Sequence, residues 1–345
     1  MQIKKFIGLI AASLFFSGAF SVILPAQNKL DRPTIFQKIA QVDAAKLTLE
    51  ADLTTIVANK KSNDYFPGAL TLGDGQQFKV DIRPRGKYRR RIAEIPPLKI
   101  KFKKKALAQA GLDTLNELKL VLPCYDNEMG DELIVKEYLA YQMFEKIAGV
   151  SMKAHLVRLN LRDKHVENAS KRSVMAILLE DEEETAARLN AELVEQFGTP
   201  TDSLVTNQVA LVVMFQYMIG NTDWDIAMNR NVRLFRSPAT RKIMVVPYDF
   251  DFSGLVSAPY ASPSTESGLK TVRDRFLMSS GLKIESLRRA TQIIRSAKKD
   301  LYDICRSKHL SRAASEEMQH YLDSFFQHVE ERNEVSQTLK MPPMD

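Results

Sequence analysis

Hydrophobic and polar positions alternate with a period of two through much of the first half of the chain. Residues 46–57 (LTLEADLTTIV from Leu47) alternate as a half-buried strand does, and a turn at 64–68 (DYFPG) leads into a strand at 69–72. Gly73-Asp74-Gly75 predicts a hairpin turn, with 77–83 as the returning strand. In 98–102 (LKIKF), Leu98, Ile100 and Phe102 share one face, and Lys99 and Lys101 the other. Residues 117–122 (ELKLVL) predict a further strand. A strongly apolar helix follows at 131–148, stopped by Gly149, then strands at 150–160 and 174–179.

From residue 180 the helical period takes over. Residues 180–195 read as a charged helix, and Ser203 is a candidate N-cap for the apolar helix 204–219, closed by Gly220. Two short strands, 232–236 and 242–247, flank a turn at Ser237-Pro238, and amphipathic helices fill 284–307 and 313–329. The pattern predicts an α+β protein of two lobes: 27–180, a sheet with one long helix, and 181–345, mainly α with a β-hairpin.

The first 26 residues read differently. Lys4 and Lys5 precede an apolar run, 6–16, and small residues at Ser17, Gly18, Ala19 and Ser21, the order of an export signal. The expected product is therefore periplasmic, secreted or surface-associated. No cysteine stands near the cleavage region, which argues against a lipoprotein, and no later run is long enough to span a membrane. With 45% hydrophobic and 26% charged residues, the remainder has the composition of a globular protein, not a disordered one. Cys124 and Cys305 are far apart, and nothing in their spacing predicts a disulfide. Two thiols and five scattered histidines give no zinc pattern, so a metal here would need oxygen ligands. The net charge is +7, of which Lys4 and Lys5 supply two, and the excess concentrates in 83–105. Such a field suits phosphate or acidic partners. Sparse aromatic interleaving and export both argue against nucleic acid.

Chemistry concentrates in 220–254 (GNTDWDIAMNRNVRLFRSPATRKIMVVPYDFDFSG). Asp223, Asp225, Asn229 and Asn231 lie in one loop, and Asp249 and Asp251 follow the next strand. If the two strands pair, both ends of the hairpin meet, and carboxylates and amide oxygens converge as a hard cation such as Mg²⁺ or Mn²⁺ requires. Trp224 is expected to be a packing anchor. Basic candidates for phosphate are Lys99, Lys101, Arg85 and Lys87, with Lys99 preferred for its position early in the strand. Glu137 shares a helical face with Leu133, Tyr141 and Phe144, an unusual place for a charge without a partner.

The order of parts resembles that of protein kinases, although G-x-G-x-x-G, H-R-D and D-F-G are all missing. The chain is more similar to the CotH kinase family and its exported relatives in Bacteroidetes. The stretches that carry this resemblance are RPRGKYRRR (83–91), PPLKIKF (96–102), KEYLAYQMF (136–144), AILLEDEEETAAR (176–188), IGNTDW (219–224) and PYDFDFSG (247–254). The resemblance implies an atypical two-lobed kinase fold and transfer of a phosphoryl group from ATP to a protein or glycan hydroxyl. It implies Asp223 as catalytic aspartate, Asn231 and Asp249 as ligands of Mg²⁺ or Mn²⁺ with Asp251 nearby, a lysine on the phosphates and Glu137 steadying it. Asn231 follows Asp223 by eight residues where many kinase-like loops have five, so Asn229 and Asp225 are alternatives in either role. Non-catalytic surface or assembly binding and metal-dependent phosphate hydrolysis are the competing classes.

Overall fold

The computed structural model describes residues 30–166, 172–279 and 281–331, so the expected export segment 1–26 lies outside the described residues. Helix α1 (Ile35–Ile39) is opened by Thr34, whose hydroxyl accepts the Gln37 N–H while the Gln37 side chain accepts the Thr34 N–H. Strand β1 (Ala45–Ala51) is shorter than the alternation predicts. Asp52 accepts the Thr55 N–H and hydroxyl, and this cap turns the chain into helix α2 (Leu53–Ala58).

The hairpin β2 (Phe66–Thr71) and β3 (Gln77–Pro84) turns at Gly75, whose φ of 87° suits glycine. Then come the short helix α3 (Arg89–Ile92), β4 (Leu98–Phe102), α4 (Lys104–Gln109), β5 (Glu117–Val121) and the 20-residue α5 (Glu128–Ile147). Strands β6 (Ala154–Asp163) and β7 (Arg172–Leu179) complete the first lobe.

These seven strands form a closed barrel in the order β1-β2-β3-β4-β5-β7-β6, sealed by the parallel pairing of β6 with β1. Alternation decides which side chains fill it. On β4, Leu98, Ile100 and Phe102 point inward, leaving Lys99 and Lys101 outside as predicted. Strand β7 is apolar on both faces because it serves two cores. Val174, Ala176 and Leu178 enter the barrel, whereas Met175, Ile177 and Leu179 pack outward into the core that α5 shares with the second lobe.

The predicted helix 180–195 divides into α6 (Glu182–Leu189) and strand β8 (Glu192–Val194), because Asn190 takes the left-handed conformation, φ 47°, and ends the helix. Helix α7 (Thr206–Ile219) begins later than predicted. The Ser203 hydroxyl donates to the Pro200 carbonyl inside a 3₁₀ turn, so Ser203 caps nothing. Strands β9 (Val232–Arg236) and β10 (Ile243–Pro247) form the expected hairpin, which β8 extends to three strands. Helix α8 (Ile284–Ser296) breaks at Ala297 before α9 (Lys298–Cys305), and α10 (Arg312–Glu331) closes the fold.

The architecture is α+β, β-rich first and mainly helical second. Cys124 and Cys305 are buried and unpaired. Among the described residues no helix is long and apolar enough to cross a membrane.

Candidate active site

Helix α5 presents Glu137 and Tyr141, one turn apart, towards the segment that follows β10. Glu137 is 1% exposed, and a carboxylate in that position needs a cation. The cation is Arg89, on the short helix between β3 and β4. Its Nη2 donates to both Glu137 oxygens at 2.7 Å and to Asp249 Oδ1 at 3.0 Å, and its Nε donates to Asp251 Oδ2 at 2.8 Å. One buried guanidinium thus ties the first-lobe helix to the turn after β10. The Tyr141 hydroxyl adds a second tie, accepting the Asp249 N–H at 2.8 Å.

Three carboxylates converge on one guanidinium, and their electrostatics follow. Burial opposes the charge on Arg89, but Asp251 and Glu137 outweigh it and raise its pKa further. Burial raises Glu137 against the pull of Arg89. It also pushes Asp251 up to about 8, with the charges of Asp249 and Glu137 adding to the effect. Phe250, fully buried between them, packs on Tyr141 and Phe215 with ring centroids 4.7 and 5.5 Å away. The alternation Asp249-Phe250-Asp251 therefore sends both carboxylates to Arg89 and the ring to the core.

Asp223 lies across from this turn. Asn231 Nδ2 donates to the Asp223 carbonyl at 2.6 Å and to its carboxylate Oδ2 at 2.9 Å. The eight-residue spacing is absorbed by a small loop. Asp225 and Arg230 exchange two backbone hydrogen bonds of 2.9 Å, and Asp225 Oδ1 accepts the Met228 N–H, so the chain returns to Asp223 at Asn231. Asn229 turns away and donates to the Glu195 and Gln196 carbonyls. Asp225 and Asn229 shape the loop, and Asn231 is the residue that meets Asp223. Burial raises the pKa of Asp223, the Arg230 guanidinium 3.6 Å away lowers it, and the negative charge of Asp249 raises it again. Trp224 is buried in the core, as expected of an anchor.

Two glycines join the motif stretches 219–224 and 247–254. The Gly254 N–H donates to the Gly220 carbonyl at 3.1 Å and the Leu255 N–H to that of Ile219 at 3.0 Å. The Tyr321 hydroxyl from α10 closes on both, so a β-carbon would lie 2.0 Å from it at Gly220 and 2.3 Å at Gly254. Gly220 also needs its φ of 65° to end α7.

The basic residues fall in other places than the sequence implied. Glu137 is paired with Arg89 and not with a strand lysine, because α3 inserts Arg89 between α5 and the Asp249–Asp251 turn. Lys99 is ion-paired with Glu117, with Asp181 3.9 Å away, and Lys101 is 3.4 Å from Glu117. Glu180 bonds Arg188, Thr185 and the Lys153 N–H, and Asp181 caps α6. Lys119 is not among the residues that the sequence pattern singles out. It is buried on β5, ion-paired with Glu182 and 3.3 Å from Asp181, and burial pulls it down to about 7 against the charge of Asp181. Its signal was there: it shares a strand face with Val121, which belongs to the core outside the barrel. Arg89 had no such signal, since a run of three arginines reads equally well as a solvated patch.

A hard divalent cation is compatible with the donors present. Asp249 Oδ2 and Asn231 Oδ1 accept no hydrogen bond from any described residue, and the Asp249 side chain is 42% exposed. Two oxygen donors from the protein are what Mg²⁺ takes when phosphate and water complete its shell. Asp251 is less available, being 5% exposed and held by Arg89. Among the described residues no three His, Cys, Asp or Glu side chains form a metal-binding group.

No protein-family profile and no curated protein sequence matches this chain, so the CotH-like resemblance rests on the motifs alone. Among solved structures there is distant similarity to kinases. The Helicobacter pylori proinflammatory kinase CtkA aligns with 66% of this chain and 89% of its own at 10% identity and a TM-score of 0.38. The Rio2 kinase of Chaetomium thermophilum, in its ADP/Mg²⁺-phosphoaspartate complex, aligns with 80% of this chain and 75% of its own at 7% identity and a TM-score of 0.27.

Proposed function

We propose that this protein is an atypical kinase that transfers a phosphoryl group from a nucleoside triphosphate, ATP in the first instance, to a hydroxyl of a protein or glycan outside the cytoplasm. The observation that carries the reading is the Arg89 junction. It fixes Asp249 to the first-lobe helix and keeps it within the electrostatic field of Asp223, which Asn231 holds in place. A two-sided carboxylate site at a lobe junction is what positioning an acceptor against a phosphate requires.

In this reading Asp223 accepts the proton of the attacking hydroxyl. Its raised pKa makes it a better base than an ordinary exposed aspartate. The acceptor oxygen bonds to the terminal phosphorus, the bond from that phosphorus to the bridging oxygen breaks, and the nucleoside diphosphate leaves. Asp249 and Asn231 would hold Mg²⁺ or Mn²⁺, which supplies charge neutralisation for the phosphates. Export, read from residues 1–26, sets the compartment of the acceptor.

Substitution tests these roles separately. Asp223→Asn is expected to abolish transfer of the terminal phosphate to added protein or glycan while leaving nucleotide affinity within about twofold, since it removes only a transition-state contact. Undiminished transfer by this variant overturns the assignment, and phosphate released to water without an acceptor product favours hydrolysis instead.

A further inference from the structure

The proposed reaction needs a cation on the polyphosphate, and the basic side chains around the lobe junction differ in how far they are already engaged. Arg89 is 5% exposed and donates to three carboxylates. Lys99 and Lys101 share Glu117, and Lys119 is held by Glu182 and Asp181. Arg233 is bonded to Glu182 and stacked 4.5 Å over the Tyr248 ring, and Arg230 is beside Asp223. The exceptions are Lys87, which is exposed to solvent, and Arg85. Arg85 is half-buried, and its guanidinium makes no hydrogen bond and no ion pair with any described residue.

Its surroundings explain why no protein carboxylate neutralises it. Arg85 follows β3 immediately, and its N–H is fixed to the Pro97 carbonyl at 2.8 Å. Its electrostatic neighbours are Asp249, Tyr248, Tyr141 and Arg89, and its field also reaches Lys119 and Glu137. The carboxylate that acts on it most, Asp249, already accepts from Arg89 and forms no ion pair with Arg85. A half-buried guanidinium has lost much of its hydration and regains it most fully from a bidentate anion. Gly86, with φ of 85° and nothing within 4 Å of a would-be β-carbon, leaves open space beside it.

We propose that Arg85 is the phosphate-binding residue of this site, taking two oxygens of a polyphosphate chain whose metal Asp249 would hold, and that Arg89 is an internal clasp that touches no ligand. The assignment rests on the kinase-like reading for the nucleotide but not for the polyphosphate itself.

The test is titration calorimetry of the exported chain, residues 27–345, with MgATP and with magnesium tripolyphosphate, for the unaltered protein, Arg85→Gln, Arg85→Lys and Lys99→Gln. Arg85→Gln is expected to weaken both probes by about 10- to 100-fold, the scale of a charge-assisted pair of hydrogen bonds. Its melting temperature is expected to be unchanged, because no protein partner is lost. Arg85→Lys recovers part of the affinity and Lys99→Gln changes it less than about threefold. Tripolyphosphate binding that depends on Arg85, without ATP binding, supports the anion site and refutes the nucleotide reading. Equal tripolyphosphate affinity in Arg85→Gln and the unaltered protein, or no tripolyphosphate binding at all, overturns the proposal.

Discussion

Replacing Arg89 with methionine keeps an unbranched side chain of similar length and removes the charge that links the lobes. Glu137 and Asp251 are left 1% and 4% exposed with no hydrogen-bonded cation, while Asp249, whose side chain is 42% exposed, can turn to solvent. The damage therefore comes from two carboxylates and not from three. Removing one partner of a buried ion pair costs about 3–5 kcal/mol, and proton uptake by the stranded carboxyls keeps the loss near that figure rather than doubling it. At roughly 2–4 °C per kcal/mol for a domain of this size, Arg89→Met should lower the melting temperature by about 6–20 °C. The assay is thermal denaturation followed by circular dichroism, run for Arg89→Met, Glu137→Met and the double variant. Since the two side chains interact, the double variant should be more stable than the summed losses predict, by about 0.5–3 kcal/mol. A melting temperature within about 2 °C of the unaltered protein, or strictly additive losses, would refute the clasp.

Three further outcomes follow from the same structure. Gly254→Ala places a methyl group 2.3 Å from the Tyr321 hydroxyl and 2.6 Å from the Val272 carbonyl, and should cost about 1–3 kcal/mol as overpacking, read by urea denaturation; no change in midpoint would show that α10 can move away. Burial raises Glu184, which accepts the Thr34 hydroxyl, to about 8 from an ordinary 4.5. The folded state then binds more protons than the unfolded between those values, so this contribution is full below about pH 4.5 and is lost as pH rises through about 8. The melting temperature of the unaltered protein relative to Glu184→Gln should fall across that window, and a constant difference would contradict it. Asn231→Ala removes the bonds to both the Asp223 carbonyl and its carboxylate, and should lower phosphoryl transfer at least tenfold, whereas Asn229→Ala, which faces Glu195 and Gln196, should not; equal losses in both would refute the assignment of Asn231.

Strands β1, β3 and β4 were legible because they alternate against a defined core, whereas β7 and β10, buried on both faces, show instead as short apolar runs. The 98–102 segment is the clearest case, its three apolar side chains filling the barrel and its two lysines facing out. Barrel closure was not legible, since the parallel pairing of β1 with β6 joins segments about a hundred residues apart and leaves no mark on either. The strand that alternation predicts over 46–57 stops at Ala51, because period two persists past that point in the sequence whereas the cap by Asp52 turns the chain into α2. In the site, Asp223 meets Asn231 before the hairpin and Asp249 and Asp251 share Arg89 after it, two acidic loops on one hairpin as the sequence pattern places them. The partner of Glu137 did not, because a buried arginine in a basic run looks the same in sequence as a solvated one. Local pattern shows that a charge is out of place, but only the packing of α3 between the lobes shows which counter-charge reaches it.

Arg89 and Tyr141 hold Asp249 at the lobe junction, where, in the proposed function, it binds a metal together with the phosphates of a nucleotide. The most direct test of that role is calorimetric titration of residues 27–345 with ATP, with and without Mg²⁺ or Mn²⁺, for the unaltered protein and Asp249→Asn. Micromolar binding that requires the metal and disappears in Asp249→Asn is the predicted result; absence of ATP binding under every metal condition, or binding that Asp249→Asn leaves intact, would contradict this role of Asp249.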